Sequence, residues 1–196
     1  IAKVEGEYVL VLSNLHWDTY DPEEKYLFYK IICQLAEENQ DQTFIWKMHH
    51  GEKVNASCHS MIKNLFSIFP SAHKNIIFYH QNEFLSKSSV TELIQKSREV
   101  ISTVSTVLLD CDMCRKKTAT YACPTVQCLI DRMKNPQSFT CLEELKEVLG
   151  QEKKHFSTGL LYKYDNKAFR KTLDKLYQPT KLSKSEFLEL VLEFKK

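Results

Sequence analysis

The sequence predicts an α/β fold: a Rossmann-like parallel sheet with helices on both faces and a helical C-terminal tail. Three observations predict it. Short apolar runs alternate with amphipathic stretches of helical period along most of the 196-residue chain. The runs are continuous rather than alternating, as in strands covered on both faces. Two of them end in residues suited to an anion, the imidazoles His49-His50 and the hydroxyl-rich Ser102-Thr103-Val104-Ser105-Thr106. Ligands of open α/β sheets gather at the carboxyl ends of strands.

Tyr8-Val9-Leu10-Val11-Leu12 is the first expected strand. Asp21-Pro22-Glu23-Glu24 opens a helix, with Asp21 as cap, Pro22 at the first helical position and Glu24 three residues after the cap. Leu27, Ile31 and Leu35, with Phe28 and Ile32, recur at helical spacing and predict its buried stripe. Thr43-Phe44-Ile45-Trp46 is the second strand, and a helix over 56–69 follows, stopped near Pro70. Asn75-Ile76-Ile77-Phe78-Tyr79 is the third strand. Ser89-Val90-Thr91-Glu92 is a capping box before Leu93 and Ile94. Glu99-Val100-Ile101 is the fourth strand, and Ser105 or Thr106 can cap a helix through Met113. Thr118-Ala119-Thr120-Tyr121-Ala122 is the fifth, ended by Pro124 and followed by a helix over 126–133. Thr140 and Glu143 form another capping box, before Leu142, Leu145 and Leu149. Beyond it no strand signal remains. Helices are expected over 166–177 and from Leu182-Ser183-Lys184-Ser185-Glu186-Phe187 to the end, so 1–196 reads as one domain with 151–196 as the tail. Five or six parallel strands are expected.

Composition narrows the function. Hydrophobic residues make up 43% and charged residues 27%, ordinary for a globular chain. A net charge of +2 without a long Lys/Arg block argues against nucleic acid as a partner. No apolar stretch approaches the ~20 residues of a membrane span, and no signal peptide opens the chain. The expected setting is the cytoplasm, with peripheral contact to a membrane left open. The chain starts Ile1-Ala2-Lys3 without methionine, and the expectation is a domain taken from a longer protein.

The seven cysteines are an odd number in a chain long enough to build a core without staples, which favours free thiols. Cys111-x2-Cys114-x8-Cys123-x4-Cys128 invites a zinc reading. Its members fall on regular elements without the turns that make ligands converge, so buried thiols are expected and no metal or cofactor is assigned.

The chemistry sits at strand ends. After the first strand, Ser13-Asn14-Leu15-His16-Trp17-Asp18 is polar but lacks glycine, and the chain holds only four glycines. GxGxxG and Walker loops are absent, which disfavours NAD enzymes and P-loop NTPases. A phosphate would instead meet side chains and a helix start. Ser102, Ser105 and Thr106 supply hydroxyls beside free backbone N–H groups; a plain cap would need only one of them. His49 and His50 can donate to phosphate, or can simply cap or face solvent, and Gly51 permits a tight turn. Glu83, just past the third strand, can accept from the two hydroxyls of a ribose, or can be an ordinary surface glutamate. A phosphoacceptor domain is excluded: Asp18 and Asp21 lie too far from the first strand, and the third ends in Tyr79-His80.

Trp46-Lys47-Met48-His49-His50 and Ser102-Thr103-Val104-Ser105-Thr106-Val107-Leu108-Leu109-Asp110 carry a resemblance. Over roughly residues 7–150 the chain resembles the C-terminal, donor-binding half of a GT-B glycosyltransferase that uses cytidine-activated donors. Bacterial sialyltransferases, Kdo transferases and polyol-phosphate transferases are of this kind. The resemblance implies that His49 acts at the donor phosphate as the catalytic contact, with His50 standing where a proline is usual, so that either imidazole could take the role. It implies that Ser105 and Thr106 hold the same phosphate from the other side, with Ser102, Ser13, Asn14 and Gly51 nearby, and that Glu83 holds the ribose. It further implies transfer of a sugar from a CMP or CDP donor to a glycan or lipid-linked acceptor in surface-polysaccharide synthesis, without metal. The general base would belong to an N-terminal acceptor domain outside this chain. The alternative is a non-catalytic Rossmann-like module that binds a nucleotide or a protein.

Overall fold

In the computed structural model, which describes residues 7–15, 20–130 and 137–151, the first apolar run becomes β1 (Val9–Ser13). The chain continues through α1 (Pro22–Glu38), β2 (Phe44–Met48), the one-turn α2 (His50–Lys53), α3 (Ala56–Ile68), α4 (Ala72–Asn75) and β3 (Ile76–Phe78). Then come α5 (Val90–Lys96), β4 (Glu99–Ser102), α6 (Val107–Met113), β5 (Thr118–Tyr121), α7 (Gln127–Ile130), β6 (Ser138–Phe139) and α8 (Leu142–Gly150). The strands form one sheet in the order β3-β2-β1-β4-β5-β6, and every neighbouring pair is parallel. This is the doubly wound order, and it reverses between β1 and β4.

Side chains alternate across each strand, so a strand sandwiched between helices is apolar on both sides. Val9, Val11, Phe44, Trp46, Ile101 and Tyr121 face the layer that holds α1, α3 and α8. Leu10, Leu12, Ile45 and Val100 face the other, with Leu93, Ile94 and Cys111 from α5 and α6. Trp46 is completely buried, with ring centroids 5.5 Å from Tyr29, 5.6 Å from Phe78 and 6.3 Å from Phe28.

The α1 start is as expected: Glu24 Oε2 accepts from the Asp21 N–H at 3.0 Å. Of its expected stripe, Phe28, Ile31, Ile32 and Leu35 are buried, but Leu27 is 41% exposed, and Tyr29 and Cys33 are buried as well. The buried arc is centred so that Tyr29 and Cys33 take the inward positions. The Ser89 box forms, with the Ser89 N–H donating to Glu92 Oε2 at 2.7 Å. The Thr140 box is displaced by one residue: Thr140 bonds Glu144 at 2.6 Å from its N–H, and Cys141 is the cap.

Asn75 ends α4 rather than starting a strand. Its Nδ2 donates to the carbonyls of Ala36, Asn39 and Gln42 at 3.0, 2.9 and 3.1 Å, which ties α4 to the α1–β2 turn. β6 pairs through Thr120↔Ser138 and Tyr121↔Phe139 and is too short to show a period in sequence. The expected helix over 126–133 begins as a 3-10 turn at Pro124–Val126 and continues as α7. Its last residues, and the helices expected at 166–177 and from 182 onward, lie outside the described residues.

The described cysteines are free thiols, with Cys111 buried on α6 and Cys123 just after β5. Burial pushes the Cys33 and Cys111 thiols up to about 12. Among the described residues no group of three or more His, Cys, Asp or Glu side chains is placed to hold a metal ion. No helix among them is long and apolar enough to cross a membrane.

Candidate functional site

β1, β2 and β4 end side by side, with Ser13 opposite Met48 and Leu12 opposite Ser102. At their carboxyl ends, at the point where the strand order reverses, lies a cleft of about 320 Å³. Its polar wall is made by Lys47, His49, Ser105, Thr106 and Asp110, together with Ser13 and Asn14. Five of the residues expected from sequence therefore meet here: Ser13, Asn14, His49, Ser105 and Thr106.

His49 follows β2 directly and caps α2. Its N–H donates to the Ser13 carbonyl at 2.9 Å and lies 3.1 Å from Glu52 Oε2, and its ring Nδ1 accepts from the Gly51 N–H at 3.1 Å. With Nδ1 as acceptor, the neutral ring carries its proton on Nε2. On the opposite wall, Ser105 Oγ accepts from the Val107 N–H at 3.3 Å, so Ser105 serves the first turn of α6. Thr106 makes no cap bond with its side chain and is exposed. Between these walls, the Asn14 N–H donates to Thr103 Oγ1 at 2.8 Å and fixes the β1 loop to the end of β4.

Four expected residues are placed elsewhere or differently used. Ser102 is fully buried and its hydroxyl donates to the Thr103 carbonyl at 2.8 Å, so it is not part of the wall. His50 is exposed on α2 and does not line the cleft. Gly51 lies inside that helical turn, because the cap at His49 and Glu52 starts a helix where a tight turn was expected. Glu83 is exposed and pairs with Lys87 at 3.4 Å. The 3-10 turn at Tyr79–Gln81 carries the chain away after β3, and the carboxylate in the cleft is that of Asp110. Ser13 does reach the cleft, but its hydroxyl accepts from Trp46 Nε1 at 2.9 Å, an anchoring contact rather than a free donor.

Besides Asp110, two residues were missed. Lys47 lines the cleft, half-buried, with Nζ 5.4 Å from the centre of the Tyr79 ring. Burial holds its ammonium below the usual lysine range. An ammonium in that position gains most from an anion brought beside it. Its signal was present, since the period of two places Lys47 and His49 on one face of β2. Glu52 is the second. It is 1% exposed, accepts from the Tyr29 hydroxyl at 2.9 Å through Oε1 and from the His49 N–H at 3.1 Å through Oε2. The Ser13 hydroxyl and the Leu15 N–H also support its charged form. One carboxylate thus joins α1, the β1 loop and the His49 corner beneath the cleft. The signal was the His-x-x-Glu capping spacing at 49–52.

Burial raises the Glu52 carboxyl above the usual carboxylate range despite these donors. The folded state therefore holds this proton to higher pH than the unfolded chain. The resulting stability is complete below the unfolded value and is lost as pH rises through the folded one. Urea titrations from acid to neutral pH are expected to show Glu52→Gln gaining on the parent protein as pH rises. A gap that moves the other way would contradict this assignment.

A larger cleft, about 650 Å³, opens at the amino edge of the sheet beside Arg98, Glu99, Lys117 and Lys146. Its charges neutralise one another: Arg98 pairs with Glu99 at 2.7 Å, Lys117 lies 3.9 Å from Glu99, and Lys146 pairs with Glu38. Lys117 also donates to the carbonyls of Leu149 and Gln151 at the end of α8. That cleft is wider, but it lacks the converging cation and donors of the cleft at the carboxyl edge.

No protein-family model matches the sequence, and no curated protein matches it. Solved structures do match in fold. The UDP-GlcNAc 2-epimerase of Methanocaldococcus jannaschii, determined with UDP-GlcNAc and UDP, superposes with a TM-score of 0.50 at 14% identity over 79% of this chain and 42% of its own. A Listeria monocytogenes chain assigned as a UDP-N-acetylglucosamine 2-epimerase gives 0.52 at 9% identity over 91% of this chain and 49% of its own. The present chain thus spans less than half the length of either. At these identities the likeness is one of fold alone: a six-stranded parallel, Rossmann-like sheet with helices around it.

Proposed function

We propose that this chain is the nucleotide-sugar-binding half of a GT-B-like enzyme. The observation that carries the reading is the meeting of Lys47, His49, Ser105, Thr106 and Asp110 around one cleft where the strand order reverses. A diphosphate fits between the Lys47–His49 corner and the Ser105–Thr106 hydroxyls. The carboxylate of Asp110 can accept from the hydroxyls of a ribose, the role that acidic residues play in other nucleotide folds. Support for a pyrimidine nucleotide comes from two sides: the motif resemblance to cytidine-donor transferases, and the UDP ligands of the Methanocaldococcus neighbour.

In glycosyl transfer from such a donor, the bond between the anomeric carbon and the phosphate oxygen breaks and its electron pair stays on the nucleotide phosphate. Lys47 supplies fixed positive charge to that oxygen's phosphate, and His49 and the two hydroxyls supply hydrogen bonds. Donors held in place before the charge develops lower the barrier without reorganisation. The acceptor, a glycan or lipid-linked sugar, and the base that activates it would belong to the part of the enzyme outside this chain.

Calorimetry with CMP, CDP, UDP and AMP tests the reading. Binding of at least one pyrimidine nucleotide, weaker for its 2′-deoxy form, is expected. Asp110→Asn should narrow the gap between the ribo and deoxy forms. Failure of all four nucleotides to bind would refute the proposal. A parent enzyme that binds them without transferring sugar would favour the non-catalytic module.

A further inference from the structure

Side chains alternate at the end of β2. Lys47 and His49 line the cleft just described, whereas Met48 lies on the opposite face of the sheet. There a second groove, about 230 Å³, runs between α3 and the edge strand β3. Its floor is apolar and aromatic: Met48, Phe66 and Phe78 lie along it, with the two rings 6.1 Å apart. Its rim is basic and comes from three segments, with His59 and Lys63 one turn apart on α3, His73 on α4 and His80 just after β3.

The rim is held in place by contacts of its own. The His59 ring lies with Nε2 2.6 Å from the Lys53 carbonyl. His73 packs edge-on to Phe66 at 5.0 Å, and His80 leans on Phe78 at 5.8 Å. No carboxylate lines the groove among the described residues. Like charges drawn together without a counter-charge oppose one another. At His80 burial first, and then the charges of Lys53 and His59, hold the imidazole below its usual range. The imidazoles do not form a metal-ligand set among the described residues. A cluster of basic side chains over an apolar floor of two rings inclined at 60° is complementary to a ligand that is an anion at one end and a ring at the other.

We propose that this groove is a second binding site, for an organic phosphate carrying a flat apolar group. The phosphate would meet Lys63 and the imidazoles, and the ring would lie against Phe66 and Phe78. The site stands apart from the nucleotide reading, since it lies on the other face of the sheet and shares no lining residue with that cleft.

The test uses the full 196-residue chain with phenyl phosphate, inorganic phosphate and phenol as probes, followed by amide chemical shifts. Phenyl phosphate is expected to bind roughly tenfold or more tightly than either of the others, shifting amides of residues 59–66 and 73–81. Lys63→Glu, at an exposed helix position, should weaken it by roughly tenfold or more, the loss of one charge-assisted contact. UDP at saturation should leave it in place. Absence of binding, shifts confined to residues 105–110, displacement by UDP, or equal affinity in Lys63→Glu would each overturn the proposal. Because Lys63 is remote from the core, unchanged thermal unfolding of the variant separates lost binding from lost folding.

Discussion

Lys47→Ala should lower the affinity for a pyrimidine nucleoside diphosphate by roughly 10- to 100-fold, and Lys47→Ala/His49→Ala by more. A charge-assisted hydrogen bond contributes about 1.5–3 kcal/mol, and each 1.4 kcal/mol is a factor of about ten. Lys47 sits at the upper end of that expectation because its ammonium is half-buried and disfavoured in the free protein. An incoming phosphate relieves that disfavour as well as adding its own attraction. The same reasoning fixes a second signature. Removing a charge that burial already disfavours should leave thermal stability nearly intact, apart from the lost contact of its ammonium with the Tyr79 ring. Calorimetry in low and high salt reads both effects, since the lysine contribution is the one that screening weakens. Unchanged affinity in Lys47→Ala would remove the phosphate from this cleft.

The largest expected loss of stability is at Trp46. Trp46→Ala should cost about 3–5 kcal/mol, the range for a fully buried large aromatic. The reason is local and double. The indole fills the space between Phe28, Tyr29 and Phe78, and its Nε1 donates to Ser13 Oγ at 2.9 Å. Truncation leaves a cavity in the layer under α1 and strips an acceptor at the end of β1 of its partner. Trp46→Phe keeps most of the packing and loses only the hydrogen bond, so it should cost clearly less. Urea unfolding of the two variants checks the order. A loss below about 1 kcal/mol in Trp46→Ala would mean that the core had closed around the gap.

The sheet was legible because its signals are regional. The continuous apolar runs around Leu10, Ile45 and Val100 could hardly be anything but sandwiched strands, and the Ser89 box set the start of α5 from four residues. What was not legible depends on contacts far away in sequence. Asn75 looked like the start of a strand because nothing nearby shows that its amide will clamp Ala36, Asn39 and Gln42. Leu27 looked inward because spacing gives a helix a stripe but not the rotation that tertiary packing selects. At the site, strand-end reasoning brought His49, Ser105 and Thr106 to one cleft, since each directly follows or nearly follows a strand. It failed for Glu83, where the 3-10 turn after β3 redirects the chain. Asp110 was passed over because it reaches the cleft from within α6, and Glu52 because a buried carboxylate shows itself only through the partners that enclose it.

The pairing of β1 with β4 joins residues 9–12 to 99–102, and among the described residues it is the only strand pairing between the β1–β3 half and the β4–β6 half of the sheet. The cleft lies on that seam, so it exists only after two stretches of chain distant in sequence have come together. Such long-range pairings form slowly, because chain entropy is spent before any contact repays it. A ligand held between Asn14 and Ser105 would therefore act as a clasp across that join. At a hundredfold excess over its dissociation constant it would add about 2.7 kcal/mol against unfolding. Its influence would fall mainly on the rate at which the two halves part, so occupancy of this seam would govern how long the folded chain survives.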